Sequence, residues 1–334
     1  MPYELGNVMT LADLASRHGG RDNKVLPIVE VLTKMSPLLQ DMSWQEGNLP
    51  TGHVFPVRVG LPGVHWRRIN QGVEPTKSTV TQVTETCGML EAVSEIDEKL
   101  VQLANDPGQF RLTESMAFME AMMQEFESAL WYGNGQLRPE TITGFAPRFS
   151  LLTGPVKNQI IDAGGTGNNN ASIWLIVWSN LTTFGIYPKG TKQGLTHIPS
   201  QVIDLIDPKG GTFRGYRDRF QWNVGLCLRD PRYVVRIVNI DVDKLPTYGT
   251  AANQAADLMS LMNIATNRIH NIGLGKAVWY MNRTLREAWE NQMLKNYHIQ
   301  HTKESATAKW EEAYKMIPTT TRSEERRVGK ECRS

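Results

Sequence analysis

The sequence predicts an α+β fold, and three stretches support that prediction. Lys77–Cys87 (KSTVTQVTETC) holds six Thr or Val residues among eleven, and β-branched side chains favour an extended chain. Leu112–Leu130 places apolar residues at intervals of three and four, which predicts one apolar face of a helix. Ser172–Ser179 (SIWLIVWS) contains six consecutive apolar residues, which indicates a strand buried on both faces.

The first of these stretches is predicted to form one side of a long β-ribbon. Val80 and Val83 fall on opposite faces of a strand, so neither face has enough apolar surface to join a core. A two-stranded ribbon without a covering layer is marginally stable in water. The ribbon is therefore either an edge hairpin of a larger sheet or an arm that docks on a neighbouring subunit. Its parts are two strand-like segments, a turn and a returning strand: His53–Gly60, Val64–Asn70, Gln71–Pro75 and Lys77–Cys87.

The long helix is expected to begin with a cap at Thr113 and to end at Gly133. Its methionines are interpreted as adaptable core residues rather than metal ligands. A shorter helix is predicted from Glu95 to Asp106, where Pro107 separates the two. The apolar stripe consists of Leu112, Met116, Met119, Met123, Phe126 and Leu130, and Phe118, Met122 and Ala129 widen it.

The rest of the chain is predicted to mix strands and helices. Before the ribbon, a short helix at Thr10–Ser16 and a proline-broken apolar segment predict an arm that packs against other surfaces. After the long helix and the buried strand we expect a hairpin, a helix, a further strand and a last capped helix. These elements are Gln221–Asp241 with its turn at Arg229–Arg232, Ala255–Ile269, Ala277–Met281, and the helix capped by Asn282.

Composition is that of an ordinary globular chain. Its 334 residues are 40% hydrophobic and 21% charged, which suits roughly two domains. No apolar run reaches eighteen residues and no basic-then-apolar leader is visible, so we expect neither a membrane span nor a signal peptide. Cys87, Cys227 and Cys332 show no paired spacing, which favours a reduced compartment over a disulfide framework or a thiolate zinc site.

The last thirteen residues, Arg322–Ser334, differ from everything before them. They are charged and aperiodic, and they resemble the in-frame translation of a common sequencing adaptor, so we expect them to be an artefact and exclude them from the fold. They hold five basic and three acidic residues out of 36 and 34, which leaves 31 of each and a net charge of zero. The slight basicity of the whole chain is therefore no indication of a nucleic-acid partner.

Three clusters are candidates for chemistry, and each has a plainer interpretation. Gly164–Asn170 could cradle a phosphate, but it lacks the Gly-Lys-Ser/Thr ending and precedes a strand, so a loop is the better interpretation. His298 and His301, with Glu304, have helical spacing for a metal, but the surrounding residues form no helical pattern, which favours a surface cluster.

The third cluster lies in Phe213–Trp222, where arginines alternate with aromatic residues. Arg214, Arg217 and Arg219 could bind nucleic acid, or they could pair with carboxylates nearby in sequence. Those carboxylates are Asp204, Asp207 and Asp218. No nucleophile with a readable base occurs, so we expect no enzymatic activity, no cofactor and no metal.

Several long phrases resemble the major capsid proteins of tailed bacteriophages, which have the Hong Kong 97-like shell fold. They are similar to the branch typified by the podovirus epsilon-fifteen coat protein, and the resemblance runs from the N-terminal arm to about Gln300. The phrases are WRRINQGVEPTKSTVTQVTE, FMEAMMQEFESALWYGN, IIDAGGTGNNNASIWLIVW, IYPKG, YVVRIVNIDV and YMNRT.

The resemblance implies a division of the chain. Leu112–Leu130 becomes the spine helix, and the ribbon becomes the extended loop that lies over a neighbouring subunit. Family members continue past Met316–Pro318 into a final strand, and here we expect the tail to interrupt it. The implied regions are 1–50 for the arm, 51–95 for the extended β-hairpin loop, 96–150 for the peripheral domain with the spine helix, and 151–318 for the axial domain with the remaining peripheral strands.

The resemblance also implies a function: a structural subunit that self-assembles into an icosahedral phage head around double-stranded DNA. Implied partners are identical copies, a portal, possible scaffolding or decoration proteins and non-specific DNA, with the virion as destination and the host cytoplasm as the place of assembly. An encapsulin-like compartment shell shares the fold and is the alternative. A phosphate- or nucleotide-binding enzyme is the alternative from another class. The expected subunit-interface residues are Trp66, Arg67, Arg68, Lys77, Thr79, Thr81, Val83 and Glu85.

Overall fold

The computed structural model describes residues 37–104, 106–198, 202–206, 210–250, 255–295, 303–306, 309–314 and 317–321. Three predictions lie outside these residues: the helix at Thr10–Ser16, the pair His298 and His301, and the nature of the tail Arg322–Ser334.

The elements occur in runs of strands and runs of helices rather than in strict alternation, as is typical of an α+β fold. The helices are α1 (Pro37–Asp41), α2 (Glu98–Leu103), α3 (Pro107–Tyr132), α4 (Phe145–Arg148), α5 (Leu258–Arg268) and α6 (Arg283–Lys295). The strands are β1 (Trp44–Glu46), β2 (Gly52–Gly60), β3 (Thr79–Asp97), β4 (Ile160–Asp162), β5 (Asn170–Trp178), β6 (Thr183–Tyr187), β7 (Thr196–Ile198), β8 (Val202–Ile206), β9 (Thr212–Leu228), β10 (Val234–Asp241), β11 (Lys276–Met281), β12 (Lys303–Ala306), β13 (Lys309–Tyr314) and β14 (Ile317–Thr321).

The described chain divides into two compact units. The first includes residues 88–129 and 194–224, and the second includes 41–87, 130–193 and the chain from 225 onward. The predicted division into arm, loop, peripheral and axial regions stays a prediction.

The first unit packs helix α3 on the N-terminal part of β9. Strands β7 and β8 pair antiparallel with β9, and α3 contributes Phe118, whose ring stacks on Phe220 at 5.8 Å. The rings of Phe126 and Trp222 also contact, in a tilted arrangement with centroids 4.7 Å apart. A second cluster joins the end of β3 to α2 and the start of α3; it consists of Ile96, Leu100, Val101, Ala104 and Phe110.

The second unit is built around β5, and every residue from Ala171 to Trp178 in it is buried. The strand pairs antiparallel with β10 on one side and with β11 on the other. One face of the strand, which carries Ile173 and Leu175, joins a core that includes α5 and α6. The other face carries Trp174 and Trp178, which contact the buried ring of Phe145. The prediction of a strand buried on both faces is confirmed.

Strand β3 is covered by its own chain along most of its length, but on different faces in its two parts. It runs for 19 residues, about 60 Å at 3.3 Å per residue. In the second unit the odd-numbered residues Val83 and Cys87 pack against a small cluster of Phe55, Phe184, Ile186 and Cys227. In the first unit the even-numbered residues Ser94 and Ile96 are buried instead. Each part of β3 is therefore covered on a single face, and Thr79–Gln82 is exposed on both.

One prediction about the later strands is corrected. The expected hairpin at Arg229–Arg232 does not form, because β9 pairs with β6 whereas β10 pairs with β5 and β4. A short 3-10 turn at Pro231–Tyr233, capped by the Asp230 side chain, connects them. Nearly every residue of β10 is buried, as expected for a strand that lies between two others and is covered on both faces. A final strand, β14, is present and pairs parallel with β11; whether the tail interrupts it stays a prediction, because the residues after Thr321 lie outside the described ranges.

Helix α3 starts earlier than predicted, and only part of its predicted apolar stripe is buried. Pro107 is its first residue, the Asp106 carboxylate accepts from the amide of Gln109 at 3.1 Å, and Thr113 lies inside the helix instead of capping it. Leu112 and Met116 are exposed in the isolated chain. Phe126 and Leu130 of the predicted stripe and Met122 beside it are buried, as are Phe110 and Glu114.

Boundaries elsewhere shift modestly. Helix α2 begins at Glu98 rather than Glu95, because β3 continues to Asp97, whose carboxylate caps the helix by accepting from the Lys99 amide. The expected strand at Val64–Asn70 is absent, and the chain has no strand from 61 to 78. The cap at Asn282 is confirmed, since its side-chain oxygen accepts from the Leu285 amide at 2.7 Å.

Candidate assembly surface

The outer part of the ribbon is a two-stranded projection that ends in a long loop. Strand β2 pairs antiparallel with the start of β3, from the pair Gly52 and Thr86 to the pair Gly60 and Thr79. Residues 61–78 connect the two strands, and the hydroxyl of Thr76 ties the loop together by donating to the carbonyl of Gly63 at 2.8 Å. Every residue from 61 to 82 is exposed in this chain.

This exposed segment, residues 58–82, carries large apolar side chains and is called the outer ribbon below. Trp66 is 103% exposed, and Ile69 and Val64 are 93% and 90% exposed. Aromatic and aliphatic side chains of this size usually lie in a core or an interface, because their exposure to water costs free energy. The other exposed apolar side chains of the segment are Val59, Leu61, Val73 and Val80. A cluster of this kind is typical of an interaction surface.

The outer ribbon is also basic. It contains Arg58, Arg67, Arg68 and Lys77 and a single carboxylate, Glu74, which gives a net charge of +3 with His65 neutral. A partner for this surface should therefore combine apolar groups with negative charge.

The base of the ribbon, in contrast, is anchored in its own chain. Phe55 is buried, and Val83 packs with it against Phe184. Glu85 is 8% exposed and accepts hydrogen bonds from both terminal nitrogens of Arg148, with Nη2 to Oε2 at 2.7 Å.

The eight predicted interface residues therefore separate into two groups. Six are exposed on the outer ribbon and its flanking strand: Trp66, Arg67, Arg68, Lys77, Thr79 and Thr81. The other two, Val83 and Glu85, are engaged within their own chain. We assign these two to the anchor of the ribbon and not to its exposed surface. The alternation of side chains along a strand could not separate the two groups. It shows which face a residue occupies, but not at which residue other elements begin to pack on that face.

Sequence reasoning missed a second exposed surface, on helix α3. Leu112 and Met116 are 51% and 36% exposed, and Ala117 and Ala121 lie beside them on the outward side. The stretch from Leu112 to Tyr132 contains four glutamates and no basic residue. Two of these glutamates, Glu120 and Glu125, remain accessible, whereas Glu114 and Glu127 are buried. The signal available in the sequence was a helix with apolar residues on more than one face and with glutamates as its only charged residues between Leu112 and Tyr132.

The glycine cluster serves close packing. A Cβ atom at Gly165 would lie 2.3 Å from the carbonyl oxygen of Asn239, and one at Gly167 would lie 2.7 Å from a carboxylate oxygen of Asp241. The Asp162 carboxylate accepts from the amide of Gly164 at 2.9 Å. The loop thus lies against carboxylates, which repel phosphate. The interpretation as a structural loop stands.

Two of the three arginines of β9 pair with carboxylates that the sequence analysis did not consider. Arg217 donates to Glu95 at 2.7 Å, and Arg214 lies 3.8 Å from Glu98. Asp218 pairs instead with Arg111 of α3 at 3.0 Å. These contacts join neighbouring elements of the first unit, so much of the local positive charge is already compensated.

The described cysteines are poor nucleophiles. Burial raises the pKa of the Cys87 thiol to about 11 and that of Cys227 to about 12, so both thiols are protonated at neutral pH. Within the described ranges, no three His, Cys, Asp or Glu side chains are grouped as metal ligands. None of the helices described here has the length and apolar character needed to cross a membrane.

Comparison with known proteins gives a consistent picture. Residues 20–324 match the family described as Major capsid protein GP7. A chain of the near-atomic cryo-EM structure of bacteriophage Epsilon15 is 30% identical, with a TM-score of 0.73, over 98% of this chain and 97% of that chain. No match was found among curated proteins.

More distant structures match at lower identity. The capsid of bacteriophage JBD30 is 9% identical with a TM-score of 0.50, over 94% of this chain and 98% of that chain, which shows likeness of fold alone. The SrpI encapsulin of Synechococcus elongatus reaches a TM-score of 0.40 at 12% identity, over 70% of this chain and 97% of that chain, and supports no functional argument. The fold is the Hong Kong 97-like α+β capsid fold, and the chain belongs to the family of phage major capsid proteins described as Major capsid protein GP7.

Proposed function

We propose that this chain is the shell subunit of a tailed-phage head, in which many identical copies form a closed icosahedral shell around double-stranded DNA. The observation that carries the proposal is the outer ribbon, whose apolar side chains are exposed in the isolated chain. Burying one such side chain contributes roughly 1.5–3 kcal/mol. In a closed shell the same contact is repeated at every subunit, so individually weak contacts add up.

The partner of the outer ribbon is a second copy of this chain, and the acidic face of α3 is the surface on that copy that fits best. The outer ribbon has a net charge of +3, and α3 exposes Leu112 and Met116, with Glu120 one helical turn beyond Met116 and Glu125 further along the same helix. The outer ribbon, which is apolar and basic, would thus contact a surface of α3 that is apolar and acidic. Such complementarity selects the partner and its register.

The proposal extends to the other components of a head. A portal, possible scaffolding or decoration proteins and packaged DNA are partners of the assembled shell, and assembly takes place in the host cytoplasm. DNA contact is non-specific, because a shell has to enclose any sequence and needs only charge complementarity. The role of the chain is structural, with no catalytic step.

The test uses full-length protein and a matched pair of variants at Trp66. The wild type is expected to form shells that are visible by electron microscopy and that dominate light scattering. Trp66→Ser should leave the unassembled subunit as stable as the wild type, because the side chain is fully exposed there, and should abolish or strongly reduce shells. Trp66→Phe keeps an apolar ring and should retain them.

A wild-type protein that stays monomeric under all conditions would contradict the shell proposal. Shells of normal yield from Trp66→Ser would contradict the assignment of the outer ribbon as an interface.

A further inference from the structure

We propose that the ion pair between Glu85 and Arg148 is a positioning device that sets the direction in which the ribbon leaves the subunit, and through it the curvature of the shell. The inference rests on the proposed function, since it assigns a geometrical role to an anchor of the assembly surface. The two residues lie 63 positions apart in sequence, and both are largely buried, with side-chain exposures of 10% and 19%.

The Arg148 side of the pair is rigid. Arg148 is the last residue of α4, between Phe145 and Phe149, which are both fully buried. The Phe145 ring contacts Trp131 and Trp174 at centroid distances of 5.5 and 5.8 Å. The guanidinium also donates twice to the Thr143 carbonyl, at 3.2 and 3.0 Å. A planar fork held on both edges has little freedom to reorient.

The Glu85 side connects to both strands of the ribbon. Glu85 lies in β3 opposite His53 of β2, and the backbone of Gly52 lies so close that a Cβ atom there would be 2.0 Å from the Glu85 carbonyl oxygen. From Glu85 outward, Val83 is the last partly buried residue of β3 before the chain becomes fully exposed. Glu85 is thus the outermost charged side chain of β3 that the subunit holds.

A small rotation at this point has a large effect on the outer ribbon. The paired strands extend from Gly52 to Gly60, about 26 Å at 3.3 Å per residue. A rotation of roughly 10° about Glu85 would displace the far end by about 5 Å, more than a packed interface tolerates. An ion pair of this kind is a weak source of stability compared with apolar packing, but it fixes geometry through its directional hydrogen bonds.

The experiment compares Glu85→Gln with a control that breaks a similar ion pair elsewhere. Asp218→Asn is the control, because Asp218 accepts two hydrogen bonds from Arg111, at 3.0 and 3.2 Å, in the first unit. Thermal unfolding of the unassembled subunits measures the loss of stability, and electron microscopy measures the distribution of shell diameters. Arg148→Lys, which keeps the charge but loses the fork, is the second variant.

We expect Glu85→Gln subunits to associate into shells of broadened diameter, or into open and misshapen ones, at least doubling the width of the diameter distribution. Arg148→Lys should give an intermediate width. Asp218→Asn should keep uniform shells at a comparable loss in melting temperature.

Uniform wild-type shells from both Glu85→Gln and Arg148→Lys would overturn the inference, as would the same broadening from Asp218→Asn. If Glu85→Gln does not fold, Arg148→Lys alone decides between these outcomes. Failure of the proposed function is distinguishable, since the wild type itself would then form no shells.

Discussion

Strand β5 and the outer ribbon are both rich in residues that favour extended chain, yet they have opposite environments. Ile173 and Trp174 of β5 are 0% and 1% exposed, whereas Trp66 and Ile69 of the outer ribbon are 103% and 93% exposed. In β5 the apolar residues are consecutive, so both faces require cover, and the chain's own helices and rings supply it. In the outer ribbon apolar residues alternate with arginine, glycine and proline, and the part of the chain that the structure describes supplies no cover.

With the proposed role of the outer ribbon, the difference separates contacts made during folding from contacts expected during assembly. A continuous apolar run predicts cover from within the chain, because leaving it exposed would oppose folding. In the proposed function, the scattered apolar residues of this polar, basic ribbon are covered by a partner copy only after the subunit has folded. Four predictions can break or sharpen this comparison.

The largest effect is expected from truncation inside β5. Trp174 contacts the rings of Trp131, Phe145 and Phe149, and Trp174→Ala should destabilise the subunit by about 3–5 kcal/mol, because it leaves a cavity in a packed aromatic cluster. Urea unfolding of the unassembled subunit measures the loss. Trp66→Ala is the matched control and should leave the free energy of unfolding unchanged. An equal loss for both would remove the distinction between the two regions.

The next effect concerns the boundary between anchored and exposed ribbon. Gly52→Ala would place a methyl group 2.0 Å from the backbone oxygen of Glu85, and the required shift should cost about 1–3 kcal/mol. Gly72→Ala, at the loop, meets no atom within 4 Å and should be neutral. Thermal unfolding of the two variants compares the positions. A neutral Gly52→Ala would show that the base of the ribbon is as loosely held as its outer part.

Much of the fold could be predicted from the sequence, and the reasons are physical. The six apolar residues of β5 and the cap at Asn282 are local signals, and local signals decided both elements. The hairpin at Arg229–Arg232 was predicted wrongly because strand pairing is non-local. The turn residues are real, but the partner of β10 is β5, which lies far away in sequence.

The candidate surface shows the same limit. The polar, two-sided ribbon indicated that cover was missing, and the exposed loop carries the predicted Trp66, Arg67 and Arg68. The periodicity did not show that Glu85 meets Arg148, because the two residues belong to different elements. The outward face of α3 was missed for a similar reason, since Leu112 and Met116 share the helix spacing of residues that are buried.

The third prediction tests the charge complementarity between copies. Replacing both Arg67 and Arg68 by Glu should raise the protein concentration needed for assembly by up to about tenfold, since each exposed ion pair contributes roughly 0.2–1 kcal/mol. Adding Glu120→Lys and Glu125→Lys should restore assembly in part. Light scattering at low and high salt measures both effects, and the effect of charge should shrink at high salt. If the variant with all four substitutions does not recover assembly, the assignment of α3 as the surface that binds the outer ribbon is wrong.

The smallest effect is a pH dependence that separates the base of the ribbon from its outer part. Burial lowers the pKa of His53 below its ordinary value of 6.5, and the charge of Arg229 lowers it further. The unfolded chain therefore binds more protons than the folded one below about pH 6.5. The contribution of His53 to stability should be complete above that pH and should decline as the pH falls towards 5.

Differential scanning fluorimetry of the unassembled subunit should show this dependence of melting temperature on pH in the wild type. His53→Gln should flatten it, whereas His65→Gln, at an exposed position of the outer ribbon, should leave it intact. If the dependence of melting temperature on pH is the same in the two variants, burial has no more effect on His53 than on an exposed histidine. The assignment of a covered base of the ribbon would then be wrong.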